Sequence, residues 1–249
     1  MNRDVSLVSL SLLAPTEGGR VAGFDPVAAG LPRKNLKTMT RAVQLGVAAV
    51  QQALAGFPGW QEVPAPRRGL FVGASPQSGD PEDLAPALTA LGDDRTLAGF
   101  AARAVPLIPP LWLVKGLSNN ILGYASAQHD FQGDNGNWCD GRLGGAVALA
   151  NAVRSVAEGR VDLAVAGAAD ALHGAEGVVG GPCAEGAAFF VLVAGAVGDV
   201  RAWAESPTED GAETTFGELG AAAIPVALAR AWSSGAGEIA AGGVRFARL

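Results

Sequence analysis

Nucleophiles and bases are scarce in this chain, which has two cysteines, Cys139 and Cys183, and two histidines, His129 and His173. Cys139 lies in Gly133-Asp134-Asn135-Gly136-Asn137-Trp138-Cys139-Asp140-Gly141-Arg142, which reads as a strand and a tight turn. A helix from Leu143 to Glu158 follows. In acyl-transfer enzymes a strand–turn–helix of this kind presents a nucleophile. No histidine is obviously placed to activate Cys139, so a buried structural thiol is the stronger reading. Cys183 follows Gly-Gly-Pro in a loop and reads as open to solvent. His129 ends a helix, where a cation would suit the dipole; His173 follows a strand. No Cys/His spacing fits a metal site, and no cofactor is expected. Gly141, Gly144 and Gly145 fall in no Gly-x-Gly-x-x-Gly or Gly-Lys-Ser/Thr pattern and read as close helix packing.

The elements that must position these residues alternate. Val5 to Leu13 is a first strand and Gly23 to Pro32 a loop. Met39, Val43, Val47, Val50 and Leu54 recur at spacings of a helix face. Leu70 to Gly73 is a short buried strand after a surface connection from Gly56 to Arg68. Asp80 to Leu91 reads as a helix with an Asp-Pro start, and Leu111 to His129 as another after the break at Pro106 to Pro110. Leu163 to Gly167 and Ala187 to Val193 are buried strands. Val200 to Ala204 is an edge strand, Ser206 to Glu213 a polar linker, Leu219 to Trp232 a helix carrying Pro225, and Ile239 to Phe246 a last strand. Strands alternating with helices predict an α/β fold with a largely parallel sheet.

Composition narrows the function classes. The 249 residues are 49% hydrophobic and 17% charged, which gives a core-rich chain without a disorder signature. The formal net charge of -6 and the lack of a basic stripe argue against nucleic acid and against direct docking on anionic membranes. No apolar run reaches the ~20 residues of a membrane span. Met1-Asn2-Arg3-Asp4 leads into the first strand without a cleavage site, so no signal peptide is expected. Two cysteines make no disulfide framework, and a cytoplasmic protein is expected.

Five segments in order resemble the β-ketoacyl synthases of the thiolase superfamily. Ile108-Pro109-Pro110 with Gly116-Leu117-Ser118-Asn119 resembles the segment before the active site. Gly133 resembles the family's Gly-Pro lead-in, with Asp134 in place of the proline. Glu158-Gly159-Arg160-Val161-Asp162-Leu163-Ala164-Val165-Ala166-Gly167 is similar to the family's helix exit and Asp-Leu-Ala-x-Ala-Gly strand. Ala184-Glu185-Gly186-Ala187-Ala188 resembles its Gly-Glu-Gly-Ala strand, and Phe216-Gly217-Glu218-Leu219-Gly220-Ala221-Ala222 its late Gly-His-x-x-Gly-Ala-Ala turn. The resemblance implies a thiolase-like, layered α-β-α fold over 1–249. The N-terminal half, 1–198, carries the nucleophile turn, and an abbreviated C-terminal half follows at 199–249.

The departures carry the functional expectation. Nine residues on from Gly133, and also counting back from Gly159, the position of the family's catalytic cysteine is Arg142. A guanidinium stays protonated and cannot attack a thioester. Glu218 stands at the late histidine position, and the region of the family's other histidine is missing. The resemblance therefore implies no catalytic residues and a subunit of the chain length factor type. Such a subunit pairs with an active β-ketoacyl synthase in type II polyketide or fatty-acid-like biosynthesis, with an acyl carrier protein in attendance. Leu111 to Cys139 would form much of the interface and tunnel wall, with Trp112, Ser118, Asn119, Phe131, Trp138 and Arg142 at the tunnel or interface. Arg142 gates the tunnel, meets a partner's carboxylate or a carrier's phosphate, or pairs with Asp140 or Glu218 in the vacated site. The alternative is a minimal acyltransferase or condensing enzyme using Cys139 or Cys183.

Overall fold

The computed structural model describes residues 3–75, 81–212 and 214–248. Its strands are β1 (Val5–Leu13), β2 (Arg68–Gly73), β3 (Asn135–Trp138), β4 (Leu163–Ala171), β5 (Glu185–Ala194), β6 (Val200–Ala204), β7 (Glu238–Ala241) and β8 (Val244–Arg248). The helices are α1 (Arg41–Ala55), α2 (Ala85–Leu91), α3 (Leu97–Gly99), α4 (Trp112–Lys115), α5 (Asn120–His129), α6 (Leu143–Ala157), α7 (Glu176–Val179) and α8 (Ala223–Ser233). Among the described residues the strands form one sheet in the order β3-β2-β4-β5-β1-β6-β8-β7.

Helices cover both faces. On one side α1 packs on β1, β4 and β5, and α5 on α1 and β2. The stripe Met39, Val43, Val47, Val50, Leu54 is buried there, starting just before the Thr40 N-cap, whose hydroxyl accepts from the Val43 N–H. On the other side α6 lies on β2 and β4, with α8 behind it against β5, β1 and β7. The result is three layers, helix on sheet on helix. At the tightest contact, a Cβ on Gly73 of β2 would stand 2.5 Å from the backbone of Gly144 and Gly145, and one on Gly145 would stand 2.3 Å from the carbonyl of Ala221. Glycine here lets α6 approach both β2 and the segment leading into α8.

The sheet differs from the largely parallel one expected. Only β3, β2 and β4 run parallel; β4–β5, β5–β1, β1–β6, β6–β8 and β8–β7 are antiparallel. The connection from β4 to β5 holds only the single turn α7, too short for the helical crossover that parallel neighbours need. Val200–Ala204 is not an edge strand: β6 lies between β1, which it touches at Ser6↔Arg201, and β8. The edges are β3 and β7. The last stretch is a hairpin rather than one strand, because Gly242 (φ 61) and Gly243 (φ 76) take the left-handed conformation that a two-residue turn requires.

Two helices are also shorter than their patterns. The one expected over Leu111 to His129 breaks into α4 and α5 at Gly116 to Asn119. The buried Asn120 side chain donates to the carbonyls of Val114 (2.7 Å) and Lys115 (3.2 Å) and so closes α4. The one expected from Asp80 is a 3-10 turn at Pro81–Asp83 followed by α2, and Asp80 itself lies outside the described residues.

Candidate functional site

The carboxyl ends of β2 and β3 are level, Gly73 opposite Trp138, and β4 runs on past them to Asp170 and Ala171. The crevice beyond such ends is where open α/β sheets bind ligands. Three segments line it. The turn from Cys139 to Arg142 leads into α6, Ala74 and Ser75 follow β2, and the segment from Glu218 to Ala222 leads into α8.

Arg142 is the N-cap residue of α6 and makes no capping bond with its side chain. Its guanidinium turns instead to Glu218: Nε donates to Oε2 at 2.7 Å and Nη2 bonds the same oxygen. The other carboxylate oxygen accepts from the Gly220 N–H at 2.8 Å. Burial alone would raise Glu218, but Arg142 and the N–H groups of Gly220 and Leu219 outweigh it and hold the carboxyl below its usual range. Arg142 is pushed up, first by its hydrogen bond to Glu218. A cation at a helix N-terminus is disfavoured by about 0.3–1 kcal/mol, and Glu218 is the group that compensates. The expected partner is thus Glu218 and not Asp140. Glu218 is held firmly, since its N–H donates to the Pro182 carbonyl (2.8 Å) and its carbonyl accepts from Ala184 (2.9 Å).

Behind this pair lies a carboxyl that the sequence reading passed over. Asp170 is 2% exposed. Its Oδ2 accepts from the Ser75 hydroxyl at 2.6 Å and from the Ala221 N–H at 2.8 Å. Burial raises its pKa to about 6 against the pull of those donors, and the charge of Glu218 adds to the rise. Asp170 therefore ties the ends of β4 and β2 to the segment before α8. The available signal was one acid in Leu163–Ala171, a strand otherwise made of Leu, Ala, Val and Gly.

The thiols and imidazoles do not converge. Cys139 is half-buried and its sulfur accepts from Asn137 Nδ2 at 3.4 Å. Cys183 is buried rather than open to solvent, because residues 182–184 are bonded to the Glu218 strand bridge. Burial and the charges of Glu176 and Glu218 push its thiol up, away from the thiolate. His129 is not a helix-capping cation. Its ring packs edge-on against Trp60 (5.7 Å) and Phe131 (6.5 Å), and burial lowers its pKa and favours the neutral ring. His173 Nε2 lies 3.2 Å from the Gly19 carbonyl. Neither imidazole bonds either thiol.

The residues expected at a tunnel or interface are split. Trp138 stacks on Phe71 at 6.1 Å and borders the crevice with Arg142. Phe131 precedes β3 and so lies at the opposite end of that strand. Trp112 opens α4, while Ser118 (half-buried) and Asn119 (exposed) occupy the break before α5.

The family profile for the β-ketoacyl synthase N-terminal domain matches residues 13–188, well over half of the chain. The chain belongs to the β-ketoacyl synthase family. Its solved neighbours carry the same thiolase-like fold. One is a complex described as "AntDE:AntF (apo): type II PKS acyl-carrier protein in complex with its ketosynthase bound to the hexaketide", at TM-score 0.65 and 15% identity over 77% of this chain. A second, "The ishigamide ketosynthase/chain length factor", gives 0.62 and 17% over 78%. A third, a β-ketoacyl synthase from Burkholderia phymatum STM815, gives 0.60 and 16% over 86%. This β-ketoacyl synthase family chain spans 62%, 59% and 67% of those three chains respectively. Comparison with curated proteins by sequence gives no match. The matched range contains the Arg142 turn and ends inside β5, so Glu218 and α8 lie beyond it. Among the described residues no helix is long and apolar enough to cross a membrane.

Proposed function

We propose that this chain is a non-catalytic, ketosynthase-like subunit of the chain length factor type. In this reading it pairs with an active β-ketoacyl synthase in the cytoplasm, in type II polyketide or fatty-acid-like biosynthesis, and its walls shape the tunnel in which an acyl chain grows on an acyl carrier protein. The observation that carries the proposal is the Arg142–Glu218 pair. At the turn where the resemblance calls for a thiol stands a permanent cation, and where it calls for an imidazole stands the carboxylate bonded to that cation. Together they can neither attack a thioester nor shuttle a proton at neutral pH.

The pairing role draws support from two surfaces. Among the described residues the strand β3 ends the sheet with an unpaired backbone edge, the kind of edge that another strand extends. The segment before α5 exposes large apolar side chains, Leu97 at 82% and Leu113 at 72% among them. The neighbours described as a ketosynthase/chain length factor and as an acyl-carrier protein with its ketosynthase are consistent with such an assembly.

The test is co-expression with a type II ketosynthase. The expected result is a stable complex in which Ser118→Trp changes product length while Arg142→Ala leaves condensation intact. A stable chain with no affinity for any ketosynthase overturns the pairing. The competing reading, an acyltransferase in its own right, predicts stoichiometric labelling by a cysteine-reactive acyl probe that disappears in Cys139→Ala or Cys183→Ala. Mass spectrometry of the labelled chain reads this directly, and no labelling is expected.

A further inference from the structure

We infer that His129 is a proton-operated latch on the link from α5 to the sheet edge. With its ring neutral it holds the last turn of α5 in an aromatic cluster. Once charged it leaves that cluster and frees residues 130–134, which lead into β3.

The cluster draws on separate parts of the chain. Trp60, in the 3-10 turn Pro58–Glu62, meets the imidazole edge-on at 5.7 Å, and Phe131 does so at 6.5 Å. Both aromatics pack against the core beneath α1. The imidazole Nε2 is shut off from solvent and has no hydrogen-bond partner among the described residues. A neutral ring fits such a setting as a largely apolar body, whereas an imidazolium brings two N–H donors and a charge that call for water or a carboxylate. Trp60 already serves one cation, since the Arg68 guanidinium lies over its ring at 5.0 Å. A charged His129 would be a second cation beside the same ring.

No carboxylate on the surrounding elements bonds the imidazole among the described residues. α5 carries no other charged side chain, and its Tyr124 hydroxyl is bonded to Thr38. On α1 the one charge is Arg41, at the far end and bonded to Glu185. On β2 stands Arg68, which donates to the carbonyls of Val63 (2.6 Å), Gln61 (3.0 Å) and His129 itself (3.4 Å). Glu62 is exposed. In the link, Asp130 accepts from Gln132 at 2.7 Å, and Asp134 accepts from Ser155 at 2.7 Å and pairs with Arg160 at 2.8 Å. The carboxyl end of α5 favours a cation, but burial outweighs it and sets the imidazole below its usual value of 6.5. The latch therefore holds fully above pH 6.5 and weakens as pH falls below it.

The link is jointed for release. Asp130 has φ 55, the only non-glycine among the described residues in the left-handed region. Beyond it, the Gln132 N–H donates to Ala65 (3.2 Å) and the Gly133 N–H to Arg68 (2.9 Å). β3 follows, paired on one side only among the described residues. Loss of the His129 anchor thus reaches the sheet edge directly. The latch is read in the isolated chain, so its failure and that of the proposed pairing are separate results.

The test uses the full chain and its two histidines. An NMR titration of the imidazoles, assigned with His173→Gln, should place His129 below 6.5. Hydrogen exchange read by mass spectrometry at pH 7.5 and 5.5, corrected for the intrinsic rates, should show residues 126–138 opening at least threefold more often at the lower pH, with a ceiling of about tenfold per pH unit for one proton. Exchange in α1 and β5 should not change. His129→Phe keeps a ring in the cluster and should abolish the rise; circular dichroism checks its fold. Trp60→Leu opens one wall and should move the His129 titration up toward 6.5. Titration of His129 at or above 6.5, exchange in 126–138 that ignores pH, or the same pH dependence in folded His129→Phe would each overturn the latch.

Discussion

Two arginine–glutamate pairs share a chemistry and differ in what surrounds them. In the first, Glu185 at the start of β5 has no exposed side-chain surface, against 29% for Arg41. Arg41 donates to it at 2.7, 3.1 and 3.2 Å, and the Val21 N–H adds a bond at 2.9 Å. The Arg41 guanidinium also lies over the Phe24 ring at 4.7 Å. This pair fastens α1, β5 and the loop through Val21 and Phe24 into one unit. In the second, Arg142 is 42% exposed against 12% for Glu218, and both bonds fall on one carboxylate oxygen. The first pair is a strut whose carboxylate is wholly out of water and whose guanidinium is partly so. The second occupies a crevice, stays partly solvated, and has the titrating Asp170 behind it. The lesson is that burial, more than the identity of the pair, decides what its loss costs.

The largest effect should come from the strut. Arg41→Met leaves the Glu185 charge buried and poorly compensated, since the remaining arginine, Arg20, stands 3.9 Å away and is itself largely exposed. Breaking a buried pair from one side costs about 3–5 kcal/mol, and the partial exposure of Arg41 places this one toward the lower end. Urea unfolding of Arg41→Met measures it. Adding Glu185→Met should recover most of the loss, because the orphan charge goes with it. A loss below about 1 kcal/mol would show that the strut behaves as the exposed pair does.

Next in size is the carboxyl behind the exposed pair. Asp170 titrates near 3.8 when unfolded and near 6 when folded. Between those values the folded state holds the extra proton, so this group's contribution to stability is full below pH 4 and falls as pH rises to about 6. The loss is about 3 kcal/mol. His129 slopes the other way, because its lowered folded pKa favours stability above 6.5 and loses it as pH falls. Glu218 and Asp162, both lowered, lose theirs below the usual carboxylate range. Comparison with Asp170→Asn cancels these shared slopes. Between pH 4 and pH 7 the variant should gain about 3 kcal/mol on the unmodified chain in chemical denaturation. A difference constant with pH would remove Asp170 from its buried, donor-ringed setting.

The two pairs were unequally legible in the sequence, and so were their surroundings. The stripe from Met39 to Leu54, the strands β2, β4 and β5, and the helix α6 all follow from local periodicity and run length, which are written in consecutive residues. Strand direction is not local. Nothing local in the link between β4 and β5 says whether it turns back or crosses over; only the pairing shows that it turns back. The break between α4 and α5 was hidden because it depends on which carbonyls Asn120 reaches. At the crevice, counting from Gly133 and Gly159 located Arg142, and Glu218 was one of two named partners. Asp170 escaped because its meaning rests on Ser75, 95 positions away, and Ala221, 51 away.

The smallest expected effect sharpens the comparison most. Arg142→Gln removes a guanidinium that is already half in water, so its stability cost should fall within the 0–1 kcal/mol of exposed pairs. The Glu218 carboxylate keeps its bond from the Gly220 N–H and part of its solvent, so it is not orphaned as Glu185 would be. Removing a cation from a helix N-terminus also returns about 0.3–1 kcal/mol, in the opposite direction. The pair should weaken further as salt rises from 0.1 to 1 M, where screening shortens to about 3 Å, whereas the Arg41–Glu185 coupling should hardly change. A double-mutant cycle for each pair, run at both salt concentrations, puts the two on one scale. A salt-independent Arg142–Glu218 coupling of several kcal/mol would mean that this pair, too, is a strut.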